Sequence, residues 1–220
     1  MTGNHSFSSH LIETQAIEDG HFKFWNNRHS RYFVDFDRAM SAVGASGKIT
    51  TLMYDYVKDL PVNVVLTPNP VHGYALATLL AARFNANPYR AERKGGVIAL
   101  PDTLGIGPGA NVLLVDDGLN TGNSMRQLIG AISDRNAKLL GICIAVDRLG
   151  VGQRDFGVPV YALADLSTVY PIVPAALCEE CDKALQIEAR LESMGLAAER
   201  DDLMKQKMRL VLRPAYVEER

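Results

Sequence analysis

With 220 residues, 47% of them hydrophobic, the chain has apolar material for one globular domain with small additions, since single cores stop growing at roughly 250 residues. Its 23 basic and 25 acidic residues leave a net charge of -2, which argues against a nucleic-acid or membrane surface as the main partner. The longest apolar run, Leu139 to Val146, is far below the roughly 18 residues that cross a bilayer, and the N-terminus (MTGNHSFSSH) has no basic segment before an apolar core, so a soluble cytoplasmic protein is expected.

In chain order, residues 8–19 predict a short helix ending at Gly20. His21 to Phe36 is rich in aromatics and alternates loosely, which predicts two short strands around an Asn26-Asn27 turn. Residues 47–58 read as helix. Val62 to Thr67 is a β-branched run ended by PNP, and HGYALATLLAARFNA then has helical spacing. Tyr89 to Ala110 is loop-like, with Gly95-Gly96, Pro101 and GIGPG, and holds a short strand near Val97 to Leu100. A segment of that length inside an α/β domain usually does work. Asn111 to Val115 is a second buried strand, followed by a helix over about 122–135. Lys138 to Val146 and Val158 to Leu163 are the third and fourth strands. Continuous apolar strands alternating with helices predict an α/β fold, a mostly parallel central sheet flanked by helices. From Asp182 the text is charged and helical, with its Leu, Ile and Met positions as a packing stripe. The division expected is an N-terminal hood segment (1–45), a core (46–175) and a C-terminal helical appendage (176–220).

The three cysteines are Cys143, Cys178 and Cys181, too few for a disulfide framework. Cys143 reads as a small buried hydrophobe. Cys178-Glu-Glu-Cys181 has zinc-knuckle spacing, but a structural zinc site takes four ligands. There is no second CxxC and no histidine after His72, so no metal bound directly by the chain is expected.

The stretch NVLLVDDGLNTGNS (Asn111 to Ser124) concentrates the chemistry. In an open parallel sheet, ligands bind beyond the carboxyl ends of the strands, where Asp116 and Asp117 fall. Adjacent strand residues point to opposite sides, so the two carboxylates can reach neighbouring groups of one ligand. Ionised, they accept hydrogen bonds or bind metal, which suits vicinal hydroxyls or a metal-bound polyol. They also repel one another and need exposure or a partner. Asn120-Thr121-Gly122-Asn123-Ser124 then leads into a helix whose N–H groups, dipole and hydroxyls can cradle a phosphate. Gly122 permits close approach and Asn123 tolerates positive φ, while the plainer alternative makes Thr121 or Ser124 an ordinary N-cap. Diol readers beside a phosphate cradle point to ribose 5-phosphate. Neither GxGxxG nor GxxxxGK[ST] occurs, so other nucleotide-binding chemistry is disfavoured.

VLLVDDGLNTGNS resembles the phosphoribosyl-diphosphate (PRPP) motif of type I phosphoribosyltransferases, and the likeness extends over about residues 10–182. The resemblance implies that Asp116 and Asp117 hold the ribose hydroxyls and that Asn120, Thr121, Gly122, Asn123 and Ser124 hold the 5-phosphate. GHFKFWNNRHSRYF (Gly20 to Phe33) is similar to the segment of orotate phosphoribosyltransferases that helps build the base pocket, making Tyr32 and Phe33 base-contact candidates. Arg148, after the third strand, matches an arginine that pairs with the orotate carboxylate. TPNPVHG (Thr67 to Gly73) falls on the pyrophosphate loop, with His72 and Gly73 as its candidates. Some relatives also carry a CxxC near the C-terminal end.

The chain departs from the family in several places. Asn26-Asn27 replaces Ser-Gly, and Trp25 stands where many relatives have lysine. His72 also replaces a lysine, and at its ordinary pKa it is mostly neutral at pH 7. In the catalytic loop, RAERKGG, Arg90 and Lys94 match, Ala91 replaces a lysine, and the loop histidine is absent. Arg90, Arg93, Lys94 and His72 are the candidates for the departing pyrophosphate. The resemblance implies Mg²⁺ carried by PRPP, a nucleobase acceptor and a homodimer whose loop serves the neighbouring site. Weak turnover, a different acceptor, and a non-catalytic or regulatory protein that binds PRPP or another phosphorylated ribose are the alternatives.

Overall fold

The four apolar runs expected as buried strands all pair in one parallel sheet, joined by a fifth strand at its edge. The computed structural model describes residues 3–24, 27–68, 71–94, 97–150, 154–193 and 212–214. The sequence features on Trp25, Asn26, Asn69, Pro70, Gly95, Gly96 and residues 194–211 lie outside that range. In chain order the elements begin with α1 (Gly3–Glu13), β1 (Ile17–Lys23), β2 (Arg28–Val34), α2 (Phe36–Ser41), α3 (Ala45–Val57), β3 (Val64–Thr67) and α4 (His72–Phe84). Next come β4 (Asn87–Arg90), β5 (Glu92–Lys94), β6 (Val97–Ala99), β7 (Asn111–Leu119), α5 (Asn123–Asp134), β8 (Lys138–Asp147) and β9 (Val160–Asp165). The last are β10 (Val173–Pro174), a 3-10 turn (Ala175–Leu177), α6 (Glu179–Ser193) and β11 (Leu212–Pro214). No helix among the described residues is long and apolar enough to cross a membrane.

The elements form two units: Met1–Ala16 with Phe36–Thr168, and Ile17–Asp35 with Val169–Arg220. These boundaries differ from those of the sequential hood, core and appendage. α1 belongs to the first unit, where Phe7 and Leu11 are buried and His10 Nε2 donates to the Ala39 carbonyl at 2.7 Å. Residues 17–35 instead share a sheet with β10 and β11.

In the first unit the sheet order is β4-β3-β7-β8-β9, all neighbours parallel. Strand alternation splits its side chains between two faces. Val64, Leu66, Val112, Leu114, Ile142 and Ile144 pack with Met125, Leu128 and Ile132 of α5. The intervening residues face the other way, where the Cys143 thiol meets the Met53 carbonyl of α3. Cys143 is buried as expected, and burial pushes its thiol up to about 12.

Two local expectations fail for identifiable reasons. The helix read over residues 8–19 stops at Glu13, and Gly20 lies inside β1. Gln15 takes the left-handed conformation (φ 53°), while Ala16 N bonds Leu11 O and Gln15 N bonds Ile12 O. That is a Schellman termination carried by glutamine rather than the usual glycine. Residues 89–110 hold more structure than a loop. Tyr89 and Arg90 complete β4, an edge strand that tolerates Pro88, and β5 pairs with β6 as a ribbon. Ile98 N is anchored by Gln127 Oε1 at 2.7 Å, and Ile98, Leu100 and Ile106 are buried.

The second unit's sheet runs β10-β2-β1-β11. The expected hairpin is present: Phe24 N bonds Arg28 O at 2.8 Å and Asn27 has φ 56°. A bulge between Asp19 and Phe22 shifts its register. Phe22, Phe24 and Ile172 form its apolar cluster, with Phe33 packed against them.

After β8 the chain is organised by a buried charge. Asp147 is fully buried, pairs with Arg154, and accepts the Leu149 N–H at 2.8 Å, while Arg154 also reaches Asp165 at 2.8 Å. Removing one partner of such a pair strands a buried charge. Arg154→Met is expected to lower unfolding stability by roughly 3–5 kcal/mol in denaturant titrations, the range for broken buried pairs.

Candidate functional site

Val112 to Val115 are fully buried, and β7 then carries its two acids beyond the end of β3. Pairing with β3 stops at Leu66↔Leu114, while pairing with β8 continues to Leu119↔Asp147. Asp116 and Asp117 therefore stand at the carboxyl edge of the sheet with one strand neighbour gone. Their side chains diverge, as strand alternation requires. Asp117 meets His72 in the first turn of α4: Asp117 Oδ2 lies 3.2 Å from His72 Nδ1. Asp116 has parity with Leu114, on the α5 face, and its Oδ1 accepts the Asp117 N–H at 2.9 Å. Asp116 is 8% exposed, so it is buried rather than solvated.

His72 is held from both ends, because its Nε2 lies 2.9 Å from Asp37 Oδ1 of α2. The hydrogen bond to Asp117 raises its pKa to about 9, with Asp37 adding to the effect and burial opposing it. The neutral imidazole expected from the sequence is thus corrected to a cation at pH 7, with both ring N–H groups donating to carboxylates.

The loop after the acids enters α5 through Gly122, which is the N-cap, with φ 73°, ψ 2° and no side-chain cap. Neither Thr121 nor Ser124 caps the helix, and the positive φ falls on Gly122 rather than Asn123. First-turn N–H groups left without a side-chain cap suit an anion. A Cβ on Gly122 would lie 2.8 Å from both Arg126 Nη1 and Phe156 Cζ. Arg126 had no part in the sequence expectation. Its Nη1 donates to the Thr121 carbonyl at 2.8 Å and its guanidinium lies 5.0 Å from the Phe156 ring centre, fixing a cation beside the loop. Its place in the first turn after Thr-Gly-Asn-Ser was the available signal. Asp37 had none, since its contact with His72 spans 35 residues.

Asp116, Asp117, His72, Gly73 and Asn120 to Ser124 therefore gather around the ends of β3 and β7. Arg148 lies at the same edge, its N–H bonded to Leu119 O at 2.9 Å, and it is buried rather than exposed. Arg90 ends β4, paired with Thr67. Arg93 and Lys94 are exposed on the β5–β6 ribbon, and the Lys94 ammonium meets Glu92 at 3.0 Å. Tyr32 and Phe33 lie on β2 in the second unit, where Tyr32 packs on Tyr170 (4.3 Å) and Phe33 on Phe22 (5.5 Å).

Residues 48–155 match the family described as phosphoribosyl transferase domain. The chain is 30% identical over 176 residues to the orotate phosphoribosyltransferase of Thermus thermophilus, covering 80% of this chain and 94% of that protein. It is 28% identical over 178 residues to the orotate phosphoribosyltransferase of Thermotoga maritima, with coverage of 81% and 93%. The crystal structure of orotate phosphoribosyltransferase from Aeropyrum pernix shares the fold, with a TM-score of 0.61 at 24% identity over 74% of this chain and 95% of that one.

Two measurements check this geometry. An NMR titration of His72 is expected to have its midpoint near pH 9 and to move toward 6.5 in Asp117→Asn. Because the folded value is raised, the stability this cation contributes is complete below pH 6.5 and is lost as pH rises through about 9. Gly122→Ala places a side chain at positive φ and is expected to cost about 1–2 kcal/mol of unfolding stability.

Proposed function

The chain belongs to the phosphoribosyltransferase family, and from that premise we propose that it transfers 5-phosphoribose from PRPP to an orotate-like nucleobase with release of pyrophosphate. The observation that carries this reading is the overhang of β7, which sets two acids beside an uncapped helix N-terminus. Asp116 and Asp117 hold the ribose hydroxyls, and the backbone of Asn120 to Ser124 holds the 5-phosphate. The bond from ribose C1 to the pyrophosphate oxygen breaks as the base nitrogen, its proton given up to water, bonds to C1, and pyrophosphate leaves with the electron pair. Charge grows positive on the ribose and negative on the leaving group, so fixed charges and positioning supply the catalysis. The His72 cation, Arg90, Arg93 and Lys94 serve the pyrophosphate. Arg148 serves the base carboxylate.

Asp116 and Asp117 are hard oxygen donors of the kind Mg²⁺ takes, and Asp117 already shares His72. This set fits an ion held largely by substrate oxygens rather than by a dedicated protein cage. When bound, Mg²⁺ would supply positive charge to the ribose hydroxyls and pyrophosphate. By likeness to the family, the working form is a homodimer.

One observation favours a second reading, PRPP binding without turnover. Ala91, where relatives carry a lysine, is buried and its N–H is committed to Thr67 O at 2.9 Å. Pyrophosphate release from PRPP with Mg²⁺ and a panel of bases, orotate first, separates the two. The expected result is release with orotate, and a loss of kcat/KM of about 100-fold or more in the Asp116→Asn, Asp117→Asn double variant. Tight PRPP binding with no release on any base would sink the transferase and leave the binding protein.

A further inference from the structure

The ligand shortage read from the CxxC motif does not hold in the folded chain. The Cys178 carbonyl accepts the N–H groups of Cys181 (3.0 Å) and Asp182 (3.2 Å), so Cys178, immediately before α6, and Cys181 flank the start of that helix. Two histidines arrive from the β1–β2 hairpin. His29 pairs with Lys23, and His21, two residues before Lys23, has the same strand parity. His21 Nε2 lies 3.2 Å from His29 Nδ1, 3.3 Å from Cys178 Sγ and 3.5 Å from Cys181 Sγ. His29 Nδ1 lies 3.2 Å from Cys181 Sγ, and all four donor atoms fall within 4.8 Å of one another.

These spacings are close to the edges of a tetrahedral zinc site, about 3.3–3.8 Å for Zn–N near 2.0–2.1 Å and Zn–S near 2.3 Å. They poorly suit a hydrogen-bonded cluster, since one imidazole nitrogen cannot satisfy three neighbours at once. His21, His29 and Cys178 are buried, and the described cysteines form no disulfide. Two thiolates, two neutral imidazoles and a divalent ion sum to zero charge, which removes the main cost of burying the set.

We propose that His21, His29, Cys178 and Cys181 bind one zinc ion that joins the β1–β2 hairpin to the start of α6. All four positions are protein ligands, so the ion is structural and has no open site for substrate. Sulfur and imidazole donors in tetrahedral array select zinc over the hard cations of phosphate chemistry. The ion closes a connection between residues 157 apart in sequence, a link otherwise made by weak contacts.

The test is the metal content of the full chain purified under reducing conditions after expression with added zinc. One zinc per chain is expected, falling to near none in the Cys178→Ser, Cys181→Ser double variant and unchanged in Asp116→Asn, Asp117→Asn. Should the cysteine variant fold poorly, two further measurements carry the result. Cobalt added to metal-stripped wild type should give thiolate charge-transfer and tetrahedral ligand-field bands, and His29→Cys should keep one metal with stronger sulfur bands. Wild type without zinc, cobalt spectra lacking sulfur bands, zinc retained by the cysteine variant, or a Cys178–Cys181 disulfide in the reduced preparation would each overturn the proposal.

Discussion

The site depends on the unequal length of two neighbouring strands. β7 is hydrogen-bonded on both sides as far as Leu114, and on the β8 side alone to Leu119. Inside the sheet, the backbone and apolar packing fix its register, because a one-residue slip would exchange every buried side chain between faces. That fixed register decides where the acids go. Asp116 and Asp117 fall just past the point where β3 has ended and its chain has turned into α4. The first turn of α4 supplies His72 to one acid, while the other acid has the parity of the α5 face. One strand overhang thus positions the two acids, the histidine between them and α2, and the entrance to α5.

The electrostatics follow from that crowding. Two neighbouring carboxylates, one of them buried, disfavour each other, and a third, Asp37, approaches the same histidine. A neutral His72 would leave this group of three carboxylates strongly negative. Protonation is the response, and the same hydrogen bonds that orient the ring hold its proton. The positive charge at His72 is therefore present at pH 7 but conditional on Asp117 and Asp37. Arg126, bound to the Thr121 carbonyl, adds a second cation beside the loop into α5.

What the sequence made legible was whatever rests on local pattern. Val112 to Val115 and Ile142 to Val146 are apolar because both faces of their sheet are covered, so their strands could be read directly. The acid pair and the loop to Ser124 were legible because strand, carboxylates and helix entrance are contiguous. The misses share a different cause. The end of α1 was hidden because Gln15 took a conformation that glycine usually signals, and β4 because an edge strand needs no apolar run. The charge on His72 was hidden because it depends on Asp117 and Asp37, which lie 45 and 35 residues away. The division into units was hidden because β1 draws its neighbours from both ends of the chain.

The second unit shows how one short segment can serve two faces. In Gly20-His21-Phe22, alternation sends Phe22 into the cluster with Phe24, Ile172 and Phe33, and sends His21 toward His29 and the two thiols. Among the described residues the apolar cluster has three buried members, little hydrocarbon for fixing a twisted hairpin. Small cores of this kind are ordinarily reinforced by a metal or a disulfide. A polar face of four convergent soft donors is the arrangement such reinforcement needs. The aromatic and histidine positions that read as one base-pocket motif in sequence therefore separate in the fold. The aromatics form the packing, and the histidines form the opposite face, where they meet the cysteines.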